Sequence, residues 1–588
     1  MARPNTDGPF ILLDDARAQG ASPTRLYRNP VRIIETYLAT EVPAALDALA
    51  NAQKEGFHTA GFLSYEAGQA LEPKLKASAR ASDDPNLPLL WFGIFDRFEA
   101  FSIADLPDPA GGWIAAPKPR LTRADYASRF TTIKNYIDAG DIYQANLTFP
   151  CDVQTAGDPL ALYAGLRDRA KAGYGGVIWT GKDWLLSLSP ELFFAMRHGK
   201  VTTKPMKGTA ARDPDPVLDQ RAIDILRTDP KQCAENLMIV DLLRNDLSRV
   251  AEAGSVTVPE LFHVETYPTL HTMTSTVTAQ LRPDMDAAGI ITAIYPCGSI
   301  TGAPKIRSME VINEVETAPR GAYTGSIGRI DANGDAAFNV AIRTLHLRAG
   351  ETTATLGLGG GIVADSKLAE EWDECLAKGK FVADPRSFDL IETMRFDPLG
   401  GIALLERHME RLKTSADALG FAFDRHATRN ELQAATFRIY QSRRVRLMLS
   451  RSGKMAIEIT PLHPTPVDPV SVAIMPLPVD PSDFRLRHKT SDRAFYTKAR
   501  SDAGTFEVAL IDADGFLTEG SFTNIFVKRD GQLLTPPLSR GLLPGVMRGE
   551  LIDRAMAVEA DLTENCLKDG FFIGNASRGL LPAQLVRL

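Results

Sequence analysis

KVTTKPMKGT, residues 200–209, is the stretch on which the reading of this chain turns. Lys200 to Met206 is strand-like and runs into a Gly208-Thr209 turn, with Lys207 at the junction. A lysine that is partly desolvated becomes a nucleophile. The ordinary alternative is one more residue in a turn, and only the surrounding sequence decides between them.

Working outward, the bulk properties are those of a soluble globular protein. The 588 residues allow about three to five structural units at roughly 100–200 residues each. Hydrophobic residues make up 44%, charged residues 24%, and the net charge is −7. That balance favours neither nucleic acid nor an anionic membrane as partner. No apolar run of about 18 residues predicts a transmembrane helix, and the N-terminal MARPNTDGPF lacks signal-peptide architecture. Cys151, Cys233, Cys297, Cys375 and Cys566 are scattered and lack CxxC spacing, so they read as reduced thiols of a cytoplasmic protein.

Residues 1–120 are rich in proline and alanine, with short apolar runs such as GFLSYEAG and LWFGIF. Thr122 and Asp125 predict a capping box, and Tyr126, Phe130, Ile133 and Ile137 follow helical spacing until Gly140. IYQANLTF then reads as a strand. Asp229-Pro230 predicts a helix start. The helix that follows, CAENLMIVDLLRNDL, is apolar nearly all round and is expected to be buried, which singles out Glu235, Asp241, Arg244, Asn245 and Asp246. A boundary falls near ADPRS, residues 383–387, and residues 506–536 carry the DADG and KRDG turns of hairpins. The expected organisation is 1–120, 121–383 and 388–588.

Residues 187–380 contain, in order, SLSPELFF, KPMKGT, AENLMIVDLLRNDLSRV, CGSITGAPK, FNVAIRTL, GLGGGIVADS and EEWDEC. The ordered set resembles the chorismate-utilising enzymes, over roughly residues 10–383. Within them, PMKGT is similar to the PIKGT of aminodeoxychorismate synthase component I, where anthranilate-forming enzymes carry alanine; isochorismate-type relatives also carry a lysine here, as a general base for adding water, and the fused C-terminal unit speaks against them. The fold implied is α+β: a β-sandwich with helices, like anthranilate synthase component I, followed by a smaller domain. Glu371 and Glu374, spaced i, i+3, face the same way on a helix and suit a hard cation, although a solvated glutamate pair is the ordinary reading of such spacing. The resemblance implies that Glu374 and Glu235 ligate Mg²⁺ with Glu371 nearby. It implies that Lys207 adds to C2 of chorismate and that Glu191 is the general acid at C4. It places Gly298, Ser299, Thr301, Gly302, Lys305, Arg343 and Gly359, Gly360 and Gly361 around the substrate, with backbone amides cradling carboxylates and Arg343 paired to one. Two positions depart from the family. Gln232 replaces a common acidic residue, and Thr272 stands where a histidine is usual, which leaves His271 as a packed or locally bonded side chain.

Residues 388–588 carry ERHMERL, RHKTSDR, LTEGSFTNIFV, RGLLPGVMR and IGNASRGLLPA. This set resembles the fold-type IV pyridoxal phosphate enzymes. It implies Lys489 as the Schiff-base lysine and Glu519 opposite the pyridine nitrogen. It implies Arg411, Val546, Met547 and Ser577 on the phosphate, Val546 and Met547 following LLPG at an expected helix start with free amides, and Asn575 and Ala576 in the same loop as Ser577. The surface alternative for Lys489 is a lysine in a basic run. The unit is short, because the strand and loop that open its relatives are missing or come from earlier residues. Such relatives are commonly dimers, so a homodimer through this domain is compatible.

Together the resemblances imply synthesis of 4-amino-4-deoxychorismate followed by elimination of pyruvate to 4-aminobenzoate, towards folate. No glutaminase signature such as GxCLGxQ occurs, so ammonia would come from a glutamine amidotransferase subunit or from free ammonium. The alternatives are an anthranilate synthase component I fused to a D-amino acid or branched-chain aminotransferase-like domain, or an inactive C-terminal module.

Overall fold

The computed structural model describes residues 6–18, 20–75, 87–266 and 270–587. Contacts divide the chain into two compact units. The first comprises Met1–Leu106, Ala116–Val153 and Tyr163–Ala383, and the second comprises Pro107–Ala115, Gln154–Leu162 and Asp384–Leu588.

The first unit is built on two large antiparallel sheets. One sets Phe10–Asp14 beside Tyr174–Trp179, then Asp183–Ser189, Thr344–Arg348, Thr353–Ile362 and Gln144–Ala156. The other runs from Met206–Ala211 through Leu270–Gln280, Lys200–Lys204, Leu192–Arg197, Ala336–Asn339 and Ser326–Ile330 to His58–Leu63 and Leu90–Phe95. GFLSYEAG and LWFGIF therefore supply two paired strands near one edge of this sheet. The sheets face each other through Ile11, Tyr27, Ile178 and Leu185 on one side and Phe62, Trp91 and Ile327 on the other. Helices Val42–Lys54, Pro230–Ser248 and Ala287–Ile294 cover the outer face of the second sheet, with Leu46, Ile239, Leu243 and Ile291 against Phe194, Val201 and Phe338. At roughly 1.5–3 kcal/mol for each such side chain fully buried, this packing anchors the strands that carry the chemistry.

Thr122 caps helix Arg123–Asp138 with the reciprocal Asp125 bond that the spacing predicts. Asp229 caps Pro230–Ser248 by accepting from Gln232 N–H. That second helix is not buried all round, however. Asn236, Ile239, Val240, Leu243, Asp246 and Leu247 face inward, while Leu237 is 50% exposed and Asp241 pairs with Arg244 in solvent. Its apolar composition overstated its burial because one face of a helix on a sheet stays in water.

KPMKGT also differs from expectation. Gly208 and Thr209 make no reversal. Strand Met206–Ala211 pairs with Leu270–Gln280, Met206 opposite Thr274 and Thr209 opposite Thr272, so three steps on one strand face two on the other. Lys207 and Gly208 form a β-bulge, and Gly208 takes the left-handed φ of 81° there. The bulge re-aims Lys207 away from strict alternation.

In the second unit, antiparallel strands Leu390–Asp397, Arg443–Leu449 and Met455–Pro461 pack on helices Leu405–Leu419 and Arg425–Thr436 through Met394, Met409, Leu412, Leu432, Val445 and Leu447. Trp113, from the earlier segment of this unit, completes that core. A second, mixed sheet sets Val470–Pro476 parallel to both Glu507–Ile511 and Gly579–Leu585. The KRDG turn closes the hairpin Asn524–Arg529/Gln532–Thr535, with Asp530 and Gly531 both at positive φ.

Candidate active sites

In the first unit, Glu191, in the turn between strands Asp183–Ser189 and Leu192–Arg197, and Lys207, on strand Met206–Ala211, bring an acid and an amine together. Glu191 is 5% exposed, and its Oε1 has no hydrogen-bond partner. Burial pushes this carboxyl up to about 7, against the opposing pull of the Ser299 hydroxyl, the Lys207 charge and the Met206 amide. Lys207 is held below the usual ammonium range by burial and by the nearby Lys378, with Glu235 and Glu191 pulling the other way. Its Nζ makes no hydrogen bond or ion pair among the described residues. A Cβ at Gly361 would lie 3.4 Å from Lys207 Nζ and 2.9 Å from Gln144 Nε2, so the glycine leaves room beside the amine. Gln144 Nε2 is likewise buried and unpartnered. An acid that keeps its proton near neutrality and an amine that can lose one suit acid-assisted displacement.

The acidic side of this site is built by helix Leu368–Lys378 and by Glu235. Burial raises Glu371 and Glu235, and each feels the charge of Glu374. Ser366 donates to Glu371 at 2.7 Å. Burial also works on Glu374, but Lys378, 2.9 Å away, outweighs it and holds that carboxyl low. Glu235 forms no hydrogen bond or ion pair among the described residues. The three glutamates do not close a ligand cage: among the described residues no three acidic, thiol or imidazole groups converge as metal ligands. Lys378 pairs with Glu374, and Ser366 bonds Glu371. A Mg²⁺ ion still fits, because it needs only one or two carboxylates plus substrate oxygens and water.

Several other expected residues make contacts within the protein. Lys305 Nζ binds Asp246 at 2.5 Å and the Ile294 carbonyl at 2.9 Å, which ties it to helices Pro230–Ser248 and Ala287–Ile294. The Thr301 hydroxyl donates to Cys297 and Gly298 carbonyls of its own loop. Gly298, Gly302 and Gly359 allow close packing, since an added Cβ would meet Leu242 at 2.6 Å, the Gln144 carbonyl at 2.1 Å and the Leu147 carbonyl at 2.6 Å respectively. Gly360 faces Glu371 and Lys378. The Arg343 guanidinium lies 5.6 Å over the Phe381 ring. His271 is buried between Asp219 and Thr266, bonded at 2.8 and 2.9 Å, while Thr272 donates to the Gly208 carbonyl at 3.2 Å. Gln232 Oε1 lies 2.7 Å from where a Gly208 Cβ would sit, against the bulge. Lys378 and Gln144 escaped the sequence reading. Lys378 had a signal, its i, i+4 spacing from Glu374; Gln144 had none beyond its strand.

In the second unit a cavity of about 540 Å³ is lined by Lys489, Glu519, Arg411, Val546 and Ser577, among others. Burial, reinforced by Arg411, lowers Lys489 to about 7. Burial raises Glu519 to about 7 against the opposing Arg493, and Tyr496 donates a hydrogen bond to it. Helix Val546–Asp553 begins where LLPG predicts, and a Cβ on Gly545 at its N-cap would sit 1.8 Å from Asn524 Oδ1, so a larger residue would have to displace that side chain. Met547 is not in the lining; its methyl packs at Gly574. Asn575 Oδ1 accepts from the Ser577 and Arg578 amides at 3.0 and 2.9 Å, shaping the loop. Arg411 is not an isolated cation. Glu392 grips it at 2.6 and 2.9 Å and also bonds His408 at 2.6 Å. Burial would raise Glu392, but Arg411 and His408 hold it well below the usual range. Lys498, by contrast, pairs with Asp502 on the surface. A near-neutral amine, a buried acid across the cavity and free amides at a helix start fit pyridoxal phosphate.

No helix among the described residues is long and apolar enough to cross a membrane. Residues 389–586 match the class IV amino-transferase family. Aminodeoxychorismate synthase component 1 of Klebsiella aerogenes is 38% identical over 341 residues, covering 54% of this chain and 74% of that protein. The Escherichia coli (strain K12) protein of the same name is 42% identical over 258 residues, covering 44% of this chain and 56% of that protein. The chain thus spans little more than half of some of the curated relatives it matches. The crystal structure of anthranilate synthase component I from Streptococcus pneumoniae superposes with a TM-score of 0.53 at 25% identity, over 65% of this chain and 94% of that one. Residues 8–384 match the chorismate binding enzyme family, and with this sandwich around Lys207 the chain belongs to that family, joined to a class IV aminotransferase domain.

Proposed function

We propose that the first unit makes 4-amino-4-deoxychorismate from chorismate and ammonia, and that the second eliminates pyruvate from it to give 4-aminobenzoate. The observation that carries the reading is the pairing of Lys207 and Glu191, an amine pushed down and a carboxyl pushed up in one buried site. Lys207 attacks C2 of chorismate and the ring double bonds shift. The C4–O bond breaks as Glu191 gives its proton to the departing hydroxyl, which leaves as water. Ammonia then bonds to C4, the double bonds return and the C2–N bond to Lys207 breaks. The proton shed by ammonia restores Glu191. Glu235 and Glu374 would hold Mg²⁺, which supplies positive charge for a substrate carboxylate. Ammonia is supplied by a glutamine amidotransferase subunit, the partner that the name component 1 implies for the relatives.

In the second unit Lys489, Glu519, Arg411 and the Val546 helix start would hold pyridoxal phosphate, which supplies an electron sink when bound. Lys489, at about 7, is able to take the C4 proton of the intermediate as a free amine. Loss of that proton and departure of the C3 enolpyruvyl group as pyruvate leave an aromatic ring. The test is mass identification of products from chorismate, ammonium and Mg²⁺, with and without pyridoxal phosphate. The intermediate without the cofactor, and 4-aminobenzoate plus pyruvate with it, are expected. Isochorismate or anthranilate as the product would defeat the first half, and unchanged intermediate in the presence of cofactor would defeat the second.

A further inference from the structure

The cavity of the second unit carries more positive charge than a cofactor phosphate requires. Arg411, Arg444, Arg446, Arg493, Arg500 and Arg578 all line it, whereas Glu519 is the sole carboxylate in the lining among the described residues. Arg411 is matched by Glu392, and Arg493 feels Glu519. Arg444, Arg500 and Arg578 form no ion pair among the described residues. Arg444 donates instead to His463 Nε2 at 2.8 Å, and its own Nε is buried without a partner. Arg500 and Arg578 lie 5.1 and 5.6 Å from the centre of one ring, that of Phe522. Glu507, whose charge reaches Arg578, is occupied by donors from Val508, Ser521, Phe522 and Thr523. The field of Arg578, then burial, then Arg444 hold His463 below its ordinary value, so it stays a neutral acceptor. Guanidinium groups gathered with no counter-charge destabilise a fold unless a ligand brings that charge.

We propose that Arg444, Arg500 and Arg578, oriented by His463 and Phe522, form a carboxylate subsite that makes this cavity select substrates bearing two carboxylates. The proposal rests on the lyase reading and deepens it: aminodeoxychorismate carries a ring carboxylate and an enolpyruvyl carboxylate, whereas an amino acid with an apolar side chain carries one. The phosphate end, at Arg411, Ser577 and the Val546 helix start, is a separate demand. Guanidinium forks suit the second carboxylate because they bind it in a bidentate manner.

The test uses the whole 588-residue chain loaded with pyridoxal phosphate and two probes that differ by one carboxylate, 3-(carboxymethoxy)benzoate and 3-methoxybenzoate. Calorimetric titration is expected to show the dicarboxylate binding about tenfold tighter or more, the effect of one charge-assisted contact. In Arg444→Gln and Arg578→Gln the advantage shrinks to about threefold or less, while monocarboxylate binding changes by less than about twofold. Equal binding of the two probes by the wild-type protein overturns the proposal, whatever the variants do. So does an equal loss for both probes in correctly folded variants, which would mean only a diffuse field. Dicarboxylate preference without release of 4-aminobenzoate would remove the lyase reading and leave the subsite. Release of 4-aminobenzoate without preference would do the reverse.

Discussion

Replacing Glu191 by Gln should cost activity and add stability, and the two effects have one origin. Burial moves this carboxyl from 4.5 to about 7, which is worth about 3 kcal/mol at roughly 1.4 kcal/mol per pH unit. Below pH 4.5 the folded and unfolded chains both hold the proton and nothing is lost. As pH rises towards 7 the unfolded chain releases the proton while the folded one keeps it, so stability falls, and the loss is complete above the folded value. Glu191→Gln removes the titration. At pH 8 the variant should therefore gain up to about 3 kcal/mol over wild type relative to the difference at pH 4. Urea unfolding followed by tryptophan fluorescence reports it, since Trp91, Trp179, Trp184 and Trp372 all lie in the first unit. The same variant should form 4-amino-4-deoxychorismate about 10²–10⁴-fold more slowly, because the amide cannot protonate the leaving hydroxyl. The wild-type rate should fall about tenfold per unit above the Glu191 value, and at lower pH it should fall as Lys207 takes up a proton. A variant that keeps wild-type turnover, or whose relative stability is the same at both pH values, would refute the argument.

Three further outcomes follow from particular contacts. Lys489→Ala should lose the visible absorbance of bound pyridoxal phosphate and slow 4-aminobenzoate release about a hundredfold or more, while conversion of chorismate to the intermediate, followed by chromatography, continues. Chelation by EDTA should stop the first reaction, and added Mg²⁺ should restore it; release of 4-aminobenzoate from supplied intermediate should not change. Arg320→Met should lower unfolding stability by about 3–5 kcal/mol by stranding buried Glu316, since Arg320 meets that carboxylate at 2.8 Å and ties the Ile300 and Asn146 carbonyls together. Adding Glu316→Leu should recover much of the loss in a denaturant titration, and failure to do so would mean that the carbonyl contacts dominate.

Much of this was legible in the chain. The Thr122 capping box, the Asp229 helix start, the Asp530-Gly531 hairpin and the LLPG helix start depend on neighbours within a few residues, so local spacing determined them. So did the order of motifs that marks the two family relationships. Lys207 and Lys489 stood out from their motifs alone. What the sequence could not determine was which groups meet across long separations. The Lys207 bulge depends on the register between Met206–Ala211 and Leu270–Gln280. Ser299 reaches Glu191, Lys305 turns to Asp246, and Gly361 opens beside Gln144 only because strands and helices far apart in sequence are packed together. The same holds for Arg444, Arg500 and Arg578, which come from a strand, a helix and a loop. Their gathering sets the charge of the second cavity, and tertiary packing alone decides it, because local periodicity fixes the face a side chain takes but not what lies opposite that face.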